Sequence, residues 1–223
     1  MKKWLRRLMP LAVKTVAYCY LYWIGTLFLL KWIDPWTTGV QMQRRAESWV
    51  KPGTYEKRYT PVDLAKISPQ LRHAIVAAED MNFPRHWGLD LGAMAEVAKQ
   101  SAEKGRVRRG ASTITQQLVK NLFFTTHANP VRKVIEWTLA PMAEVILGKE
   151  RILELYLNVI EWGPGVWGAE AAARYHYRAS AASLTRDQAA RLAACVPAPR
   201  RRRPAAMNQY AAIIDARMRM MGY

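Results

Sequence analysis

Apolar and aromatic residues run from Leu11 to Ile33, interrupted by Lys14 and Lys31 near the two ends of the run. At 1.5 Å of rise per residue, a helix over this segment matches the hydrocarbon core of a bilayer, about 30 Å thick. Both lysines sit where a long side chain snorkels to the headgroups. Trp32 and Trp36 suit the far interface and Trp4 the near one. A cleaved signal peptide would carry a shorter apolar region of about 7–15 residues followed by a small-x-small site. The run here is longer and ends in KWIDPW, which has no such site, so the pattern predicts an uncleaved transmembrane helix over 11–33. Lys2, Lys3, Arg6 and Arg7 make residues 1–10 a basic tail, and the positive-inside rule assigns that tail to the cytoplasm. The bulk of the chain then lies beyond the membrane. Its own Lys and Arg residues do not oppose this, because long domains translocate largely regardless of charge.

Residues 34–60 read as a juxtamembrane connector, with Asp34-Pro35, Pro52-Gly53, mixed charge and little periodicity. From 61 to 223 the pattern is that of one helical domain. Ser68-Pro69 forms an N-cap and N1 pair ahead of Leu71, Ile75 and Ala78. A second helix is expected to hold Ile135, Leu139, Met142 and Ile146. A further one carries Ile152, Leu155, Tyr156 and Val159 at i, i+3, i+4 and i+7. The Ala-rich run 169–173 and the stretch 186–195 extend the helical character. There is no internal repeat and no sustained strand alternation, so the expected fold class is mostly α.

Charge narrows the partners. The chain has 34 Lys+Arg against 17 Asp+Glu, a formal net charge of +17. Such a field favours an anionic partner, whether nucleic acid, an anionic membrane surface or a phosphate-bearing substrate, without choosing among them. Two cysteines, Cys19 and Cys195, make neither a disulfide framework nor a zinc set.

Four segments carry candidate chemistry. In AIVAAEDMNFPRHWGLD, residues 74–90, an apolar helix ends in Glu79-Asp80, with Phe83, His86 and Gly88 following. Taken alone, a glutamate at a helix end is most often solvated. The apolar approach and the aromatics predict partial burial, which raises a carboxyl pKa toward the range useful for acid–base work. In RRGASTITQQLVKNLF, residues 108–123, Gly110 permits a tight turn, and Thr113 with Gln116 forms a capping-box pattern. Thr113, Gln116, Gln117 and Lys120 share one helix face, and Ile114, Leu118 and Leu122 share another. A helix N-terminus with hydroxyls, amides and a lysine suits a sugar phosphate, although the segment by itself reads more readily as an ordinary capped surface helix. In RKVIE, Arg132 and Lys133 are phosphate-binding candidates and Glu136 is a second carboxylate. The segment 149–163 reads as structural, with Glu154, Tyr156 and Asn158 available to bond neighbouring elements.

Taken in order, these segments resemble the peptidoglycan glycosyltransferases of the family-51 type, whose catalytic domain is lysozyme-like and α-helical. The acidic pair with Phe, His and Gly is Glu79, Asp80, Phe83, His86 and Gly88. The Gly-x-Ser-Thr-Ile-Thr-Gln-Gln motif is complete at 110–117 and continues through Lys120 and Asn121. Arg132, Lys133 and Glu136 supply the third motif; Lys149, Ile152–Glu154 and Tyr156–Asn158 supply the fourth; Gly165, Gly168, Ala171 and Ala172 match the fifth. Five ordered motifs cover about residues 60–200. There are two departures. The family's Tyr-Phe-Gly-Lys is replaced by His176, Tyr177, Arg178 and Ala179, and the loop 125–130 has no arginine, so no substrate role transfers to either segment.

The resemblance implies a monofunctional enzyme that polymerises lipid II into β-1,4-linked glycan. Glu79 is the implied base, which deprotonates the acceptor sugar's 4-hydroxyl for inverting attack on the donor anomeric carbon; undecaprenyl pyrophosphate leaves. Lys120, Arg132 and Lys133 are implied to stabilise the leaving group. Asp80, His86, Ser112, Thr113, Gln116, Gln117 and Asn121 complete the implied substrate set. Glu136 is implied as the second catalytic carboxylate, supporting the donor site electrostatically or through a metal. A divalent cation, Mg or Mn, is expected at the donor pyrophosphate, and no organic cofactor. The expected partners are lipid II, the growing lipid-linked glycan, membrane lipids and other cell-wall synthesis or division proteins, with no nucleic acid. The expected location is the bacterial inner membrane, with the domain in the periplasm. A muramidase would use Glu79 and Glu136 as an acid pair on the same polymer, and a basic scaffold would explain the charge but not the motifs. Ser101 and Lys104 match Ser-x-x-Lys, but there is no Lys-Thr-Gly partner, so no transpeptidase activity is expected.

Overall fold

The computed structural model describes residues 2–50, 55–103 and 112–223, with side chains from Met9 onward at the N-terminus. Gly110, Lys104 and Pro52-Gly53 lie outside the described residues. The chain begins with helix α1, Lys2–Leu30. Its stretch Met9–Leu30 is long and apolar enough to cross a membrane. Leu11, Val13, Val16, Tyr18, Leu21 and Tyr22 are all exposed, as apolar side chains of a core helix would not be. The helix ends at Leu30, and a turn takes up Lys31–Ile33 of the expected span.

The connector expectation needs correction. Residues 34–60 contain a twelve-residue helix, α2, Gly39–Val50, and strand β1, Arg58–Tyr59. Val40 and Gln41 are buried, and α2 lies on α5, Ile114–Phe123, where Gly39 comes so close that a Cβ would meet the Phe124 carbonyl oxygen at 2.5 Å.

The domain itself is a helical bundle in which small residues let helices approach closely. Helix α3, Pro69–Glu79, starts as expected: the Ser68 hydroxyl accepts from the Gln70 N–H and Pro69 fills the first turn, a cap of about 1 kcal/mol. Its buried face, Leu71, Ala74, Ile75 and Ala77, packs on α8, Arg186–Cys195, and α9, Asn208–Met220. Helix α8 contributes buried Ala189, Ala190, Ala193 and Ala194. Helix α4, Leu91–Glu103, has no buried residue, whereas α5 buries Ile114, Leu118, Val119 and Leu122 against α6.

The two helices expected around Ile135–Ile146 and Ile152–Val159 are both present and meet at a kink at Gly148; together they make up α6, Pro130–Val159. That glycine has φ 75° and ψ 165°, a left-handed-side conformation that favours glycine. The chain then forms a small sheet of order β1-β3-β2 from β2, Glu161–Gly163, and β3, Val166–Trp167, before α7, Ala169–Tyr177.

The anchor is not a free tether. Leu27 and Leu30 join the domain core, the Tyr20 hydroxyl lies 2.6 Å from Thr138 Oγ1 on α6, and the Trp23 ring packs edge-on against Phe124 at 5.5 Å. Arg151 Nε donates to the Leu30 carbonyl at 2.8 Å and pairs with Asp34, fixing the helix end.

Candidate active site

Helices α3, α5 and α6 converge on a cavity of about 600 Å³. Eight of the side chains singled out in the sequence line it: Glu79, Ser112, Gln116, Gln117, Lys120, Arg132, Lys133 and Glu136. A larger cavity, about 850 Å³, lies between α2, the loop at 125–127 and the β2–β3 hairpin. None of the candidate residues lines it, and chemistry rather than size identifies the smaller one as the candidate site.

Glu79 ends α3 at the cleft surface. Gln117 Nε2 donates to Glu79 Oε2 at 2.8 Å. Burial pushes the Glu79 carboxyl above its ordinary range; the Gln117 bond and the charges of Lys120 and Arg202 pull it back in part. No ion pair to Glu79 forms among the described residues. Lys120, one helical turn beyond Gln116 and Gln117, likewise has no ion pair among the described residues. Burial holds its ammonium below the usual lysine range, with Glu136 acting against that shift. An anion entering the cleft would therefore meet a lysine that no ion pair holds among the described residues.

Glu136 is treated differently. It is 2% exposed; Arg132 Nε lies 2.9 Å from its Oε1, and Lys133 Nζ donates to its Oε2 at 3.3 Å. Both cations are also held elsewhere: Lys133 Nζ donates to Ser112 Oγ at 2.9 Å, and an Arg132 guanidinium N–H donates to the Thr125 carbonyl. Asn129 caps this helix, accepting from the Val131 and Arg132 N–H groups, and so sets the turn that displays them.

Four candidates stand outside the cleft lining. Asp80 is buried; its Oδ2 accepts from His86 Nε2 at 2.9 Å and from the Ile114 N–H at 2.9 Å. His86 Nδ1 accepts from the Gly88 N–H at 3.1 Å, which puts the ring proton on Nε2. Gly88, at φ 83°, packs against α6 so tightly that a Cβ would meet the Ala140 carbonyl carbon at 2.7 Å. The acidic-pair motif thus divides its labour: Glu79 faces the cleft, while Asp80 and His86 tie α3 to the start of α5. Thr113 is spent on the capping box, accepting from the Gln116 N–H while donating to the Gly88 carbonyl at 2.6 Å. Asn121 Nδ2 donates to the Gln117 carbonyl. Gln116 touches the cavity, but its Oε1 is committed to the Thr113 N–H.

The cleft is also lined by residues that no motif marks. Arg202 and Tyr210 line it from the segment after α8 and from α9, with the guanidinium 5.3 Å from the ring centroid. Arg202 was visible only as part of the basic run 200–203, and nothing local marks it as facing Glu79. In the fourth motif, Asn158 bridges the Val62 N–H and C=O, Glu154 accepts from the Leu64 N–H, and Lys149 pairs with Glu144 at 2.8 Å. His176 bonds the Trp162 carbonyl at 3.0 Å.

Among the described residues, the cleft side chains do not fit a resident metal ion. Besides Glu79, Glu136 is the cleft's carboxylate, and both its oxygens face cations. No group of three or more His, Cys, Asp or Glu with metal-binding geometry occurs among the described residues.

The sequence model of the transglycosylase family matches residues 46–221. A biosynthetic peptidoglycan transglycosylase of Laribacter hongkongensis is 44% identical over 201 residues, covering 90% of this chain and 88% of that protein. One from Bordetella pertussis is 44% identical over 220 residues, covering 95% and 91%, and one from Dechloromonas aromatica is 42% identical over 220, covering 97% and 95%.

Proposed function

The chain belongs to the transglycosylase family, and from that premise we propose how this peptidoglycan glycosyltransferase performs glycan polymerisation with the residues of its cleft. Glu79, as carboxylate, takes the proton of the acceptor sugar's 4-hydroxyl. The oxygen attacks the donor anomeric carbon from the face opposite the pyrophosphate. The new glycosidic bond forms as the carbon–oxygen bond to pyrophosphate breaks, inverting the centre, and undecaprenyl pyrophosphate leaves with the electron pair. Lys120, Arg132, Lys133 and Arg202 offset its growing negative charge from positions fixed before the reaction begins. Lys133 also fixes Ser112 at the rim. Glu136 holds Arg132 and Lys133 in place and touches no reacting atom, a narrower role than the catalytic one expected from the motif. No step is routed through a metal.

The observation that carries this reading is the pairing, in one cleft, of a carboxylate made basic by burial with a buried lysine that forms no ion pair among the described residues. Supplying the full chain with lipid II in detergent tests it. The expected products are a lysozyme-sensitive glycan strand and undecaprenyl pyrophosphate. Cleavage of finished strands without polymerisation would favour the muramidase reading instead.

The membrane partner follows from helix α6. At 100° per residue, Arg132, Glu136, Leu139, Ala143 and Leu147 share one side. Val131, Val134, Thr138, Met142 and Val145 share the other, and four of these five are large exposed apolar residues. Tyr20 of the anchor meets Thr138 on that second side. Lipid acyl chains around the anchor would therefore also cover this face of α6, bringing the cleft to the surface where lipid-linked substrates enter. The N-terminus is cytoplasmic and the domain periplasmic; a reporter fused after Tyr223 should be active only outside the cytoplasm, and cytoplasmic activity would refute the topology.

A further inference from the structure

Tyr156 belongs to a motif that reads as structural, and its side chain is 0% exposed. Its hydroxyl nevertheless points toward the chemistry. It donates to Gln117 Oε1 at 2.9 Å, and the other end of that amide, Nε2, donates to Glu79 Oε2 at 2.8 Å. An amide can turn over and exchange its two ends. In the reversed orientation Oε1 would face the Glu79 carboxylate, lone pair against lone pair.

We propose that Tyr156 is a positioning residue for the glycosyl transfer: its phenolic O–H fixes the Gln117 amide so that an N–H, and never the carbonyl, faces the catalytic carboxylate. This rests on the reading of Glu79 as base. Tyr156 is suited to the task because a phenol donates readily and, buried here, is pushed well above its ordinary pKa, so it keeps its proton throughout the working range. The Ser112 carbonyl assists, accepting from the same Nε2 at 3.4 Å. The remaining charges near Glu79 come from other elements: Lys120 on α5, Arg202 after α8 and Asp80 beside it on the chain. Arg217 of α9 reaches the end of α3 but donates to the Ala77 and Ala78 carbonyls rather than to the carboxylate. Of the groups near Glu79, Gln117 is the one that bonds the carboxylate directly among the described residues, and Tyr156 decides which end of it does so.

The chain Tyr156–Gln117–Glu79 makes the base easier to ionise, because a hydrogen bond to a carboxylate favours its charged form. Tyr156→Phe removes one oxygen and keeps the ring. With lipid II and the full chain, the acidic limb of kcat/KM against pH should then move up by about one unit, an activity loss of about ten-fold on that limb. KM should change little, since Tyr156 reaches no substrate. Gln117→Leu should move the limb at least as far, and the double variant no further than Gln117→Leu alone. The proposal is overturned if folded Tyr156→Phe loses only thermal stability and keeps the wild-type limb. It is equally overturned if Gln117→Leu leaves the limb in place, or if Tyr156→Phe shifts it as much without Gln117 as with it. Failure of the base assignment itself would look different: Glu79→Gln would stay active.

Discussion

Glu79 at the end of α3 and Glu136 on α6 open onto the same cleft, yet the chain surrounds them in different ways. Around Glu136, Arg132 and Lys133 approach both oxygens, and each cation is secured by a second contact. Around Glu79 there is one amide donor and an apolar helix, with the nearest cations left at longer range. A carboxylate whose two oxygens are both held by cations serves as a strut. One that is partly desolvated and only partly compensated is a stronger base and costs the fold some stability. Two identical side chains in one cavity thus serve as support and as reagent, and the difference lies in the neighbours.

That contrast can be broken at several points. Among the groups around the two carboxylates, removing Lys120 should have the largest effect. Lys120→Met should lower kcat by about 10²–10³-fold, the size of a lost electrostatic contact to a transition state. It should leave thermal stability equal or higher, because a partly buried charge without a partner disappears. A coupled loss of stability and activity would show that Lys120 is structural.

Glu136→Gln tests the other side. It leaves Arg132 and Lys133 without their anion and should destabilise the domain by about 1–3 kcal/mol, less than the roughly 3–5 kcal/mol of a broken fully buried pair because Lys133 is about one third exposed. Denaturant unfolding checks this, and stability unchanged from wild type would refute the strut role.

Smaller still is Thr113→Ala. It should cost about 1 kcal/mol through the lost cap and change turnover per folded molecule little, in contrast to a substrate contact, whose loss would raise KM.

The last effect is on stability alone. Glu79 has a folded pKa above its ordinary value of 4.5, so the folded state binds its proton more tightly than the unfolded state does. Its contribution is full below the unfolded pKa and lost as pH rises through the folded one. Glu79→Gln should therefore raise the Tm at neutral pH, and the gain should shrink as pH falls toward 4.5. Equal Tm values at pH 7 would mean that burial does not strain this carboxylate.

Local patterns made much of this molecule legible. The apolar run announced α1, Ser68-Pro69 the start of α3, and Thr113 with Gln116 the capping box of α5. Helix α2 escaped because its mixed charge hides its buried positions, Val40 and Gln41, which acquire meaning only against α5. The motifs gathered eight side chains at one cleft but could not say that Asp80, His86, Thr113 and Asn121 would be consumed in holding α3, α5 and the Gly88 turn together. Arg202 and Tyr210 reach the cleft through the packing of α8 and α9 against α3, a relation between positions about 120–130 residues apart that no short pattern encodes. Tyr156 was legible as a buried aromatic, but its tie to Gln117 spans 39 residues. Spacing along one helix is readable from sequence, whereas which polar group spends its bonds on the scaffold depends on neighbours brought from elsewhere.

The central claim is that the partly buried carboxylate at the end of α3 removes the acceptor's proton. It is tested most directly by lipid II polymerisation with purified wild type and Glu79→Gln, both shown to be folded by circular dichroism. The expected result is a folded variant whose turnover falls by about 10²–10⁴-fold, the range for loss of a general base. A folded Glu79→Gln enzyme that polymerises lipid II at close to the wild-type rate would contradict the account.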